Sequence, residues 1–170
     1  MKNLISVCGS DSGDKNLSEK TLKTAEKVGC LIAERNAVLV CGGHGGIMKA
    51  ACKGCKKTQG LTVGIMPYNK KEANPYIDIA IPTDLGNIRN YLVANTGDVT
   101  IALGGRWGTL NEISYRMITG KPLILIKNTG GTVDKVIKEN FIEKNNPQVY
   151  IVDSAEEAVD KAFEIIKKNR

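Results

Sequence analysis

Two glycine-rich turns hold most of the residues in this chain that could do chemistry. The first runs Val38-Leu-Val-Cys-Gly-Gly-His-Gly-Gly-Ile-Met48, and the second Val99-Thr-Ile-Ala-Leu-Gly-Gly-Arg-Trp-Gly-Thr-Leu-Asn-Glu112. Each follows an apolar run of β type and opens a helix. Glycine has no Cβ, so backbone can turn tightly and approach a ligand closely. The helix start that follows offers unpaired N–H groups and the positive end of a dipole to an anion. Two such turns in one small domain point to a phosphate-bearing, nucleotide-like ligand. Neither carries a common cofactor signature. Gly43-His-Gly45 begins a G-x-G, but the third glycine is misplaced and no acidic residue follows at the dinucleotide distance. The Lys-Ser/Thr ending of a P-loop is also missing.

The side chains around these turns leave alternatives open. His44 is the only histidine, so a Ser-His-Asp triad would have to use it. It is either a ligand contact or a loop histidine without a catalytic role. Thr109-Leu-Asn-Glu112 has the form of a capping box, with Thr109 as the cap and Glu112 reaching back. Alternatively, Glu112 is a carboxylate at the mouth of a phosphate-binding turn, acting as acid or base or stabilising an oxocarbenium-like centre. Arg89 flanks the apolar face of its helix, and Arg suits bidentate phosphate recognition. Trp107 either stacks on a base or covers an oligomer interface.

These residues need a scaffold, and the chain alternates strand and helix patterns. Apolar runs predict strands at Leu4–Cys8, Ala37–Cys41, Leu61–Met66, Ile77–Ile81, Val99–Leu103, Leu123–Ile126 and Val149–Val152. Helical periodicity covers Ser18 to Arg35, the first glycine turn to about Lys57, Thr109 to Thr119, a helix beginning at Thr132, and a final helix capped by Ser154. Asp84 is expected to cap a helix carrying Ile88, Leu92 and Asn95. Strands apolar on both faces, alternating with helices, imply a mostly parallel sheet of about seven strands. The expected fold is a Rossmann-like three-layer α/β/α sandwich spanning residues 1–170 as one domain. Ligands of such sheets bind at the carboxyl ends of the strands, near a topological switch point. The loop starting Gly9-Ser10 reaches that same edge. The expected ligand contacts are therefore Gly9, Ser10, Gly42, Gly43, His44, Gly45, Gly46, Met48, Gly104, Gly105, Arg106, Gly108 and Thr109.

Composition narrows the function classes. The chain has 170 residues, 42% hydrophobic, and a net charge of +6, which favours anionic partners. Most of the basic residues are Lys, few aromatics interleave with them, and no nucleic-acid module motif appears, which argues against nucleic acid. No apolar run reaches membrane-spanning length, and no secretory pattern opens the chain, so a cytoplasmic location is expected. Five cysteines in such a chain do not suggest a disulfide framework. Cys52-Lys-Gly-Cys55 has no second C-x-x-C, and helical spacing puts both thiols on the apolar face with Ile47, Met48 and Ala51. No metal site is expected.

Gly42-Gly-His-Gly-Gly-Ile-Met48 and Gly105-Arg-Trp-Gly-Thr-Leu-Asn-Glu112 resemble the two signatures of the LOG superfamily, G-G-G-x-x-G-L-M-G and P-G-G-x-G-T-x-x-E. Cys41 to Gly54, Asn74-Pro-Tyr-Ile-Asp78 and Asn87-Ile-Arg-Asn90 are similar to the molybdenum-cofactor carrier-like branch. The resemblance implies a Rossmann-like sheet and a homodimer or homotetramer. In phosphoribohydrolases of the superfamily, a nucleoside 5′-monophosphate is cleaved to free base and ribose 5-phosphate without a cofactor. An Arg-Lys pair and the motif glutamate are central there, matching Arg89 and Glu112 as catalytic residues. The lysine position holds Asn90, Arg106 stands where the enzymes have glycine, and Lys49 replaces the last glycine of the first motif. The resemblance thus implies an N-glycosidic hydrolase, with a carrier of molybdenum cofactor as the alternative and a nucleotide sensor as a third reading.

Overall fold

The computed structural model describes residues 1–139 and 148–169. Seven strands form a single sheet: β1 (Leu4–Cys8), β2 (Val38–Cys41), β3 (Leu61–Met66), β4 (Ile79–Pro82), β5 (Val99–Leu103), β6 (Leu123–Ile126) and β7 (Val149–Val152). Six helices connect or follow them: α1 (Glu19–Glu34), α2 (Gly46–Lys57), α3 (Asn90–Thr96), α4 (Trp107–Thr119), α5 (Gly131–Lys138) and α6 (Ala155–Lys168). Every strand pair is parallel, in the order β4-β3-β2-β1-β5-β6-β7. The unbroken apolar runs explain this. β2, β5 and β6 are buried along their whole length, as expected when helices cover both faces.

One face buries Ile5, Leu39, Ile101 and Ile124 against α1, α2 and α6. The other buries Val40, Ala102 and Leu125 with Val93, Ile113 and Val133 from α3, α4 and α5. Helices α1 and α2 meet at two glycines. A Cβ on Gly29 would lie 1.8 Å from the Ala51 carbonyl oxygen, and one on Gly54 would lie 1.8 Å from that of Glu26. On the other face Arg116 is fully buried. It donates to the carbonyls of Ala94 and Gly97 at 3.1 and 3.2 Å, Asp98 at 3.2 Å and Pro122 at 2.6 and 3.2 Å. A charge so placed is held chiefly by hydrogen bonds, with Asp98 also favouring its charged form, and it ties α4 to the end of α3 and the approaches to β5 and β6.

Beyond single-residue shifts such as those at the start of β2, the end of β4 and the start of α5, the sequence-predicted elements differ from the structure in two places outside the second glycine turn. The fourth strand begins at Ile79 rather than Ile77, because Asn74 to Ile77 form a turn in which the Ile77 N–H donates to the Asn74 carbonyl at 3.1 Å. Asp84 does not cap a helix. It has φ +55°, a left-handed conformation that Asp tolerates but that an extended N-cap position excludes. The Thr83 and Gly86 amides are pinned to the Met66 and Pro67 carbonyls, and a 3₁₀ turn over Gly86–Arg89 then leads into α3. No described helix is long and apolar enough to cross a membrane.

Candidate functional site

The strand order reverses between β1 and β5, so the loops leaving these neighbours diverge and open a crevice at their carboxyl ends. A cavity of about 270 Å³ lies there. Gly9, Ser10 and Asp11 line it from the loop after β1, and His44 and Met48 from the first glycine turn and α2. Pro67, Asn87, Arg89 and Asn90 come from the segment after β3, and Arg106, Gly108, Thr109 and Glu112 from the second turn and α4. A wider, shallower groove of about 630 Å³ runs beside α1 and α6. It is lined by surface pairs such as Lys23–Glu19 at 2.9 Å and lacks both glycine turns.

The first turn is held from two sides, by the loop after β1 and by Asn74. Gly46 has φ +58°, and a Cβ there would lie 2.3 Å from the Ser10 carbonyl oxygen. That carbonyl accepts the Ile47 N–H at 2.9 Å, fixing the start of α2 to the β1 loop. Asn74 donates through Nδ2 to the Gly43 and His44 carbonyls, both at 3.0 Å. In the second turn, Gly105 has φ +96°, and a Cβ there would strike Thr109 at 2.4 Å. Its carbonyl accepts the Thr132 N–H at 2.8 Å. Side chains cap α1 and α6 through Ser18 and Ser154. Neither α2 nor α4 has a side-chain cap. Their positive ends remain directed at the crevice, the arrangement that favours an anion.

Arg89 and Glu112 meet at the cavity floor, 7% and 5% exposed. Arg89 Nη1 lies 3.9 Å from Glu112 Oε1. Its guanidinium also donates to the Asn90 side chain, and to the Gly42 carbonyl at 3.4 Å. Asn90 in turn donates to Asn111 Oδ1 at 3.1 Å. Where the resemblance places a lysine, this chain thus has a neutral bracket for Arg89. Burial pushes the Glu112 carboxyl up to about 7, against the opposing pull of Arg89 and a hydrogen bond with the Cys8 thiol. Burial also pushes the Cys8 thiol up, reinforced by the neighbouring Glu112. Two buried polar atoms of the lining, Ser10 Oγ and Arg89 Nε, have no hydrogen-bond partner among the described residues. His44 Nε2 also has no hydrogen-bond partner among the described residues, with Glu72 Oε2 at 3.6 Å, within ion-pair distance if the imidazole is protonated.

The structure brings Gly9, Ser10, His44, Met48, Arg89, Arg106, Gly108, Thr109 and Glu112 together on one cavity. Gly42, Gly43, Gly45, Gly46, Gly104 and Gly105 belong to the turns that supply this lining without lining the cavity themselves. The capping box does not form. Helix α4 starts at Trp107 with Arg106 in the cap position, so Thr109 and Glu112 both lie inside the helix and turn towards the cavity. Trp107 is 84% exposed and does not line the cavity. Cys52 faces Cys41 at 3.6 Å between sulfurs rather than Cys55, and all three thiols are buried. Among the described residues, no group of three or more His, Cys, Asp or Glu could hold a metal ion. Sequence reasoning missed Asp11, Pro67, Asn87 and Asn90 as lining residues. The only signal for Asp11 was its place in a small-residue loop at the same sheet edge.

An all-parallel Rossmann-like sheet with its crevice at the switch point, flanked by two glycine turns, defines the class of protein. The chain belongs to the SLOG cluster4 family, whose sequence model matches residues 2–159. This agrees with the resemblance of its motifs to the LOG superfamily and the molybdenum-cofactor carrier-like branch. It is similar to the molybdenum cofactor binding protein of Rippkaea orientalis, with 37% identity, a TM-score of 0.87 and 98% of each chain covered. It is also similar to the molybdenum cofactor carrier protein of Chlamydomonas reinhardtii, with 27% identity, a TM-score of 0.85 and coverage of 98% of this chain and 99% of that one. An uncharacterized protein of Archaeoglobus fulgidus is 41% identical over 123 residues, which is 72% of this chain and 79% of the relative.

Proposed function

We propose that this protein binds molybdenum cofactor, or a related pterin phosphate, in the switch-point cavity and carries it without chemical change. The observation that carries this reading is the likeness to a molybdenum cofactor binding protein over 98% of both chains at 37% identity. The cavity's chemistry suits the cargo's phosphate. The uncapped start of α4 offers N–H groups, Arg106 offers a cation, and Ser10 Oγ and Arg89 Nε are buried polar atoms lacking partners. Each such atom costs free energy until something bonds it, which a bound anion would do. The grip would fall on phosphate and pterin rather than on the metal. The test is expression in a host that makes the cofactor and in one that cannot, followed by oxidation and pterin fluorescence of the purified protein. Pterin from the first host alone supports the carrier; none from either contradicts it.

The hydrolase reading, which the Arg89 and Glu112 motif matches favoured, keeps one specific observation. A buried carboxyl titrating at about 7 beside a buried arginine has the proton affinity that general acid–base catalysis uses near neutral pH. Release of free base from nucleoside 5′-monophosphates by wild type but not by Glu112→Gln would establish it.

Self-association is part of the same proposal. Ile88, Tyr91, Leu92, Trp107 and Ile118 are large apolar side chains left exposed on the 3₁₀ turn, α3 and α4. Tyr91 and Tyr115 join these two helices edge to face, with centroids 5.2 Å apart. Clustered exposed apolar residues are the usual mark of an interface, and a second copy of this chain is the occupant we assign.

A further inference from the structure

Arg106 stands at the cap position of α4, where it could point freely into solvent. It instead reaches to the loop after β1, 95 residues away in sequence. Its Nη2 lies 3.2 Å from Asp11 Oδ1, and its Nη1 donates to the Gly13 carbonyl at 3.2 Å. The same Asp11 oxygen accepts the Gly13 N–H at 2.8 Å. Asp11 and Arg106 both line the cavity, with side chains 44% and 52% exposed, so their bridge lies at its rim. The residue next to Asp11 is Ser10, whose buried Oγ has no partner in the same cavity. In the same lining, Arg89 Nε is also without a hydrogen-bond partner among the described residues. At 270 Å³ the cavity falls just short of the roughly 300–1,000 Å³ of small-molecule sites. A half-exposed ion pair is a weak closure and is readily exchanged.

We propose that Asp11 stands in for an anionic group of the ligand. It holds Arg106 at the rim until a phosphate takes its place, and Arg106 thereby selects phosphorylated ligands over their uncharged counterparts. The inference rests on the reading of the cavity as a phosphate site. It adds a specificity-determining pair to the cradle: one cation shared between an internal carboxylate and the incoming phosphate. Two charge-assisted contacts from one guanidinium to a phosphate are the stronger arrangement, and the swap uncovers the rim as it forms. Like charge also matters, because Asp11 in its present position repels a phosphate approaching the start of α4.

The test is calorimetric titration of wild type, Asp11→Asn, Arg106→Ala and the double variant with AMP and inorganic phosphate, adenosine serving as the uncharged control. Removing the competing carboxylate should tighten AMP and phosphate by up to about fivefold. Removing the guanidinium should weaken both by about tenfold or more. Asp11→Asn should add nothing once Arg106 is gone, and adenosine should be indifferent to both changes. Thermal unfolding confirms that each variant is folded, and Arg106→Lys, which keeps the charge but not the two-point grip, should fall between. Wild type that binds AMP or phosphate, with both single variants matching it, overturns the exchange and leaves the phosphate site standing. Wild type that binds neither phosphate nor AMP overturns the phosphate site and the exchange with it.

Discussion

Glu112→Gln should make the protein more stable at neutral and alkaline pH. Glutamine keeps the shape of the side chain and cannot ionise. In the folded protein burial raises the Glu112 carboxyl from 4.5 to about 7. The unfolded chain therefore releases this proton near 4.5, while the folded chain retains it until about 7. A raised carboxyl stabilises the fold most fully below 4.5, and that contribution is lost as pH rises towards 7. The separation corresponds to about 3 kcal/mol at 1.36 kcal/mol per pH unit. Urea unfolding of both proteins at several pH values measures it. The variant should exceed wild type by about 1 kcal/mol at pH 5 and by about 3 kcal/mol at pH 8. The Arg89 guanidinium at 3.9 Å is the counterweight, since it favours the ionised form. A difference that stays constant from pH 5 to pH 8, or a variant less stable than wild type at pH 8, would refute the reasoning. The Arg89 pairing would then outweigh burial.

Other expectations follow from packing and exposure. Gly54→Ala should cost about 3 kcal/mol, read from denaturant unfolding, because its Cβ would sit 1.8 Å from the Glu26 carbonyl oxygen in the α1–α2 contact. Arg116→Met should cost about 3 kcal/mol in the same assay, since four carbonyls lose the guanidinium's hydrogen bonds, although those of Ala94 and Pro122 keep a Thr100 donor. Leu92→Asp combined with Ile88→Asp should leave a folded protein sedimenting as a monomer, where wild type is expected to sediment as a dimer or tetramer. A wild-type monomer would remove the assignment of that face to a second copy.

Much of the fold was legible because its strands are short unbroken apolar runs, and such runs leave few alternatives to buried parallel strands. The β4 start and the Asp84 turn were not: the local Asn74–Ile77 turn that delays β4 is anchored by the Asn74 N–H on the Gly43 carbonyl, and the Asp84 turn by the Met66 and Pro67 carbonyls, long-range bonds that no local pattern encodes. At the site the two turns, and Arg89 and Glu112 as individual site residues, could be anticipated from motif positions, whereas their approach to 3.9 Å could not. Thr109-Leu-Asn-Glu112 misled as a capping box because the true helix start depends on the left-handed Gly105, which sets Arg106 at the cap. Arg106 was visible as an added charge, but its partner Asp11 lies across the sheet edge. Arg116 has the spacing of any helical arginine, and only the convergence of α3, β5 and β6 on its guanidinium reveals its role. The paired thiols show the same limit: Cys52-Lys-Gly-Cys55 drew attention, whereas the close contact is between Cys52 and Cys41.

Retention of molybdenum cofactor through gel filtration tests the central claim most directly. The purified protein would be mixed with cofactor released from a denatured molybdoenzyme, then separated under anaerobic conditions and assayed for pterin in each fraction. Stoichiometric pterin eluting with wild type, and lost from Arg89→Ala while that variant stays folded, is the result this account predicts. Pterin eluting wholly apart from folded wild type would contradict it.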